Sequence, residues 1–145
     1  MFITDKKIIA ALTADFIEDA TRASVAKAIM DTRTTKEERK PWLTVYLEHH
    51  NRASARIETI DTIDGSLFRN IHSAFLTIEE EAWAAAGEKL GVAGTPREMI
   101  TALDEDYGNI FDVIYDGIED KVQSAVDRMV ALRVAEQEAR NADVQ

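Results

Sequence analysis

The sequence predicts an all-α protein, a single-domain bundle of about five helices. Three observations carry this. Apolar residues recur three and four apart through most of the chain, which is the spacing of one helix face. No segment alternates with period two, and no hairpin dipeptide joins two β-type runs. Asp64-Gly65 and Tyr107-Gly108-Asn109 fall between helical patterns instead. Only two prolines and six glycines interrupt 145 residues. A chain of this length buries roughly 70% of its unfolded surface, enough for a core without staples.

The first helix is expected to begin after Thr4, with Thr4 as N-cap and Ile3 and Ile8 as a hydrophobic staple. Its apolar face is Ile9, Leu12, Phe16, Ala20 and Ala23. Val25 and Ile29 lie off that face, so the helix either breaks near Thr21 or is buried on two sides beyond it. Thr35 and Glu38 fit a capping box that starts a short helical turn. Pro41 is assigned to the first turn of the second helix, because deeper in it would lack a needed N–H and clash with the preceding turn. That helix shows Trp42, Tyr46, Ala53, Ile57 and Ile60 on one face and ends at residues 63–65.

The third helix is expected over about residues 67–88. Its main stripe is Leu67, Ile71, Phe75, Ile78, Ala82 and Ala85, and a second adds His72, Leu76 and Trp83. Two stripes imply contact on two sides, as in the middle of a bundle or at an oligomer interface. Three glycines then break the pattern, which makes residues 87–95 a candidate hinge within a domain spanning 1–145. In "TPRE", Thr95 is an N-cap, Pro96 sits at the first helical position and Glu98 closes a capping box. A short helix follows, with Met99, Ile100 and Leu103 inward, and Gly108 ends or bends it. The last helix is expected over about residues 109–139, with a frayed tail at 140–145.

Charge is distributed unevenly. Residues 1–73 hold eleven bases and eleven acids, whereas residues 74–145 hold six bases and sixteen acids, so the whole net charge of −10 lies in the second half. Such a surface repels nucleic acid and anionic membrane and attracts a basic partner. The excess is densest in "DEDYGNIFDVIYDGIED", residues 104–120, which carries seven acids and no base. On a helical wheel Phe111, Ile114, Ile118, Val122, Ala125, Met129 and Leu132 share one arc, and Asp112, Asp116, Glu119, Asp120 and Asp127 lie roughly opposite. The core face explains why these acids point to water. It does not explain why they are all acids, since like charges four apart cost about 0.2–0.5 kcal/mol per pair. Lys121 and Arg128 lie on a flank, away from the stripe.

Other chemistries lack their signatures. With no cysteine, disulfides and thiolate metal sites are excluded. Counting from Asp104, position 12 of an EF-hand loop falls on Tyr115, so that loop fails. No acid lies three before His49, His50 or His72, and His-Glu-x-x-His is absent, so paired-helix metal sites are not encoded. His50 and His72 read as partly buried structural residues, although Glu79, Glu80 or Glu81 could join His72 in a site. There is no phosphate-binding glycine loop and no nucleophile elbow. Acids interrupt the N-terminal apolar residues, and no run approaches the ~20 apolar residues of a membrane span.

The expectation is therefore a soluble, cytoplasmic, non-enzymatic protein with no cofactor and no metal. It binds a protein with a basic surface, in the sharpest form as an inhibitor occupying a nucleic-acid-binding site. The partner-binding residues are Asp104, Glu105, Asp106, Asp112, Asp116, Glu119, Asp120 and Asp127. A structural or homo-oligomeric component, self-associating through Val113, Val130, Val134 and the second stripe of the third helix, is one alternative. A cofactor or metal protein using His50 or His72 is the other.

Overall fold

Local capping chemistry sets the starts of the first three helices. In the computed structural model, which describes residues 1–92, 96–102 and 107–144, the Asp5 carboxylate accepts from the Ile8 N–H and starts α1 (Lys6–Thr32). The cap is thus Asp5 and not Thr4, one residue beyond the expected position. Ile8 is 50% exposed, so the expected Ile3–Ile8 staple does not form. Thr35 caps α2 (Lys36–Ile63) through the expected box: its Oγ1 accepts from the Glu38 N–H and donates to the Glu38 carboxylate. The short turn and the second helix are one element. Pro41 is its sixth residue, beyond the first turn where it was expected; the Thr35 carbonyl still accepts from Arg39, and the missing N–H costs the carbonyl four residues earlier, that of Glu37, its helical partner.

Asp64 both ends α2 and caps α3 (Gly65–Leu90), so the two helices join with no loop between them. Gly91 ends α3 at φ +70, the left-handed conformation in which glycine carries no Cβ penalty. α4 (Pro96–Ala102) starts at Pro96 as expected and buries Met99 and Ile100. The expected Thr95 cap, Leu103, and the later part of the 87–95 hinge lie outside the described residues. α5 (Tyr107–Val144) starts before Gly108 and stays helical through residues 140–144, where a frayed tail was expected. All described elements are helices, and among the described residues none is long and apolar enough to cross a membrane.

α1 is the axis of the bundle. It contacts α2, α3, α4 and α5, and none of residues 16–26 is exposed. Of the two expectations for Val25 and Ile29, burial on a second side is the correct one: both are fully buried. α3 and α5 pack on α1 and on each other, and the main α3 stripe is buried from Leu67 to Ala82. At its end Ala86 replaces Ala85 in the core, and of the second stripe only Trp83 is buried. α2 lies outermost, burying only Ala53 and Ile60 fully.

The α5 core face departs from the wheel at its C-terminal end. Leu132 is 71% exposed and Arg133 is 2% exposed. The reason is a buried polar cluster. Arg133 Nε donates to the Ile3 carbonyl at 2.7 Å, and Nη1 donates to Ser66 Oγ at 3.0 Å and Asn70 Oδ1 at 2.9 Å. Its Nη2 pairs with Asp64 Oδ2. Asp64 also accepts from the Ile3 N–H at 2.8 Å, Ser66 Oγ at 2.8 Å and the Leu67 N–H at 3.2 Å. Phe2 covers the guanidinium, with Arg133 Cζ 4.2 Å from the ring centroid. A second buried carboxylate docks α2: Asp19 accepts from Arg56 Nε at 2.9 Å and lies 3.4 Å from His49 Nδ1.

Removing one partner of a buried, hydrogen-bonded pair leaves an uncompensated charge. Arg133→Ala is therefore expected to cost about 3–5 kcal/mol in urea denaturation; a loss below 1 kcal/mol would contradict the clamp. Burial raises the Asp64 pKa, but the hydrogen bonds from Ile3, Ser66 and Leu67 and the Arg133 charge outweigh it, so the carboxyl titrates below its usual range. The folded pKa thus lies below the unfolded value of about 3.9. Its contribution to stability is complete above that value and is lost as pH falls through the folded pKa. Asp64→Asn should flatten this acid limb of the stability–pH curve.

Candidate acidic binding face

The acid stripe is where helical periodicity puts it. Phe111, Ile114, Ile118, Ala125 and Met129 are buried, which turns Asp112, Asp116, Glu119, Asp120 and Asp127 outward, and all five are exposed. Asp104, Glu105 and Asp106 lie outside the described residues. The structure separates the remaining five into two sets. Asp127 is ion-paired with Lys6 at 2.8 Å and accepts from Gln123, and the Lys6 hydrogen bond holds its carboxyl below the usual range. Among the described residues, Asp112, Asp116, Glu119 and Asp120 form no ion pair.

Several acids elsewhere in the chain are answered, and others such as Glu58, Asp61 and Glu80 form no ion pair among the described residues. Glu18–Arg22, Asp31–Lys27, Glu48–Arg52 and Glu136–Arg140 pair across one helical turn. Lys121, on the flank of the stripe, reaches across to Glu81 of α3 at 2.7 Å, and this contact holds the Glu81 carboxyl below its usual range. The cation nearest the stripe in sequence is thereby drawn toward α3.

The face is wider than one helix. Tyr115 sits at the seam with α1, stacked on Phe111 at 5.1 Å, while Arg22 Cζ lies 3.9 Å over the Phe111 ring. Burial pushes the Tyr115 hydroxyl pKa up, and the charges of Glu18, Glu119 and Asp15 push it further, against Arg22. Acids of α1 and α5 therefore act on one point. Asp15 and Glu18 belong to this field, a contribution that the α5 wheel alone does not reveal.

The histidines are placed otherwise than expected. His50 and His72 are exposed, stacked on Tyr46 and Phe68 respectively, whereas His49 is the partly buried one, beside Asp19. Among the described residues no group of three His, Cys, Asp or Glu is arranged to hold a metal ion. Of the residues read as a self-association surface, Val113 and Val130 pack against the core, while Leu76 and Val134 remain exposed. No protein-family model, no curated protein and no solved structure matches this chain.

Like-charge neighbours four apart with no cation to answer them reduce helix stability. Replacing Asp112, Asp116 and Asp120 together by Asn relieves two such contacts at little change in helix propensity. The triple variant is expected to be as stable as the parent or more stable by up to about 1 kcal/mol in urea denaturation. A clear loss of stability would assign these acids a structural role.

Proposed function

We propose that this protein acts by binding a macromolecular partner with a basic surface through the face built by Asp112, Asp116, Glu119 and Asp120 of α5 with Asp15 and Glu18 of α1. The observation that carries the reading is the charge of the four α5 acids, clustered on one helix face and, among the described residues, without an ion pair. Exposed unpaired charge of one sign steers an oppositely charged partner and speeds encounter.

The sharpest form is occupation of a nucleic-acid-binding site on another protein. Asp112 to Asp120 covers about 12 Å of helix. With Glu119, four charges over that length approximate one per ~3.4 Å, the phosphate spacing along one DNA strand. Lysine and arginine side chains that bracket a phosphate backbone would meet carboxylates at similar intervals.

Affinity capture from a native lysate tests the reading. The immobilised chain should retain a basic protein at low salt and release it as ionic strength approaches 1 M, where the Debye length falls to about 3 Å. The variant carrying Asp112→Asn, Asp116→Asn and Asp120→Asn should retain none of it while keeping its helical circular dichroism. Capture that is indifferent to the triple substitution would refute the assignment.

A further inference from the structure

Glu79 is a half-buried carboxyl that forms no ion pair among the described residues. It accepts hydrogen bonds from Ser24 Oγ of α1 and from the Trp83 side chain, both neutral donors. Burial pushes its pKa up against those two bonds, and no charged neighbour lowers it. The other buried acids differ: Asp19 has Arg56 and Asp64 has Arg133. Lys27 lines the same crevice and Arg97 a neighbouring one, but neither is ion-paired with Glu79, and the Lys27 ammonium is held by Asp31 at 3.1 Å. A carboxylate taken from water without a counter-ion is costly, and the cost is relieved by a ligand that brings one.

Glu79 opens onto a groove of about 310 Å³ between α1, α2 and α3, at the lower end of the ~300–1,000 Å³ usual for small-molecule sites. Its floor includes Phe16 and Phe75, packed edge-to-face at 5.5 Å. The wall from α2 carries Tyr46 stacked on His50, and the wall from α3 carries His72 stacked on Phe68. Flat rings on three sides select a flat ligand, and the faces of Phe and Tyr rings attract a cation. Ser54 of α2 lines the same groove.

We propose that this groove is a binding site for a small planar organic cation, an aromatic amine or amidine, with Glu79 as its counter-ion. The ring lies against Phe16, Phe75 and Tyr46, and the N–H groups donate to the carboxylate oxygen lone pairs that Ser24 and Trp83 leave free. This site is separate from the acidic face of α5, so either assignment can fail without the other.

Benzamidine is a suitable probe, with benzoate as the same ring of opposite charge. Titrated into the ¹⁵N-labelled full chain, benzamidine should shift the Trp83 indole N–H and the amides of Ser24 and Glu79 to saturation, binding about ten-fold or more tightly than benzoate. Glu79→Gln keeps the shape and the Ser24 contact and removes the charge, so it should fold normally and weaken benzamidine about ten-fold or more. Ser54→Trp, which fills the groove from the other wall, should abolish binding independently of Glu79. Equal binding of benzoate, an unchanged affinity in Glu79→Gln, no saturable binding, or shifts confined to residues 112–120 would each overturn the proposal. The benzamidine–benzoate comparison and the location of the shifts decide it in the unsubstituted chain even if a variant misfolds.

Discussion

The buried contact between Asp64 and Arg133 holds three distant parts of the chain to one point. Asp64 is the hinge residue between α2 and α3, ending one helix and capping the next, so the direction of both follows from how its carboxylate is held. Arg133 reaches it from the far end of α5 and at the same time takes the Ile3 carbonyl, which anchors the segment before α1. A buried ion pair is a poor source of stability where its remaining donors and acceptors go unmet. Here Ser66, Asn70, Leu67 and Ile3 meet them, so the pair specifies a register. With Arg133 fixed, the residues a turn or more before it, Met129, Ala125, Ile118 and Ile114, face α1 and α3, and the acids are carried to the outside.

The central position of α1 determines where function can lie. No residue of α1 from 16 to 26 is exposed, and the outer faces of α5 and the crevices beside α2 are among the surfaces left open to a partner. α5 offers charge without counter-charge, beside Asp15 and Glu18 of α1, which pair with Arg56 and Arg22. α2 buries few residues fully and leaves a ring-lined groove with α1 and α3, with the Glu79 carboxyl among its lining. The two surfaces differ in kind. One is an open field suited to a large, flexible, basic partner; the other is a small concavity suited to a compact ligand.

Some of this was legible in the residues and some was not. The orientation of Asp112, Asp116, Glu119 and Asp120 follows from the buried Phe111, Ile114 and Ile118, a relation contained within a few turns of one helix. The pairing of Asp127 with Lys6 and of Lys121 with Glu81 joins residues far apart in the chain, and no local pattern encodes it. Glu79 reads as one of three consecutive surface acids. Only its position on the inner edge of α3, facing Ser24 of α1, sets it apart from Glu80 and Glu81.

The sequence by itself determined the all-α class, the Thr35–Glu38 box, the start of α4 at Pro96 and the outward turn of the α5 acids. Each depends on contacts within about one or two turns of the same helix, where side-chain spacing is fixed by backbone geometry. The tertiary structure decided that residues 16–26 of α1 are covered on more than one side, that Arg133 enters the core where Leu132 was expected, and that Glu79 is half-buried without an ion pair. Those outcomes depend on which helices meet. An arginine goes inside only where a carboxylate from another element awaits it, and periodicity within one helix carries no record of that partner.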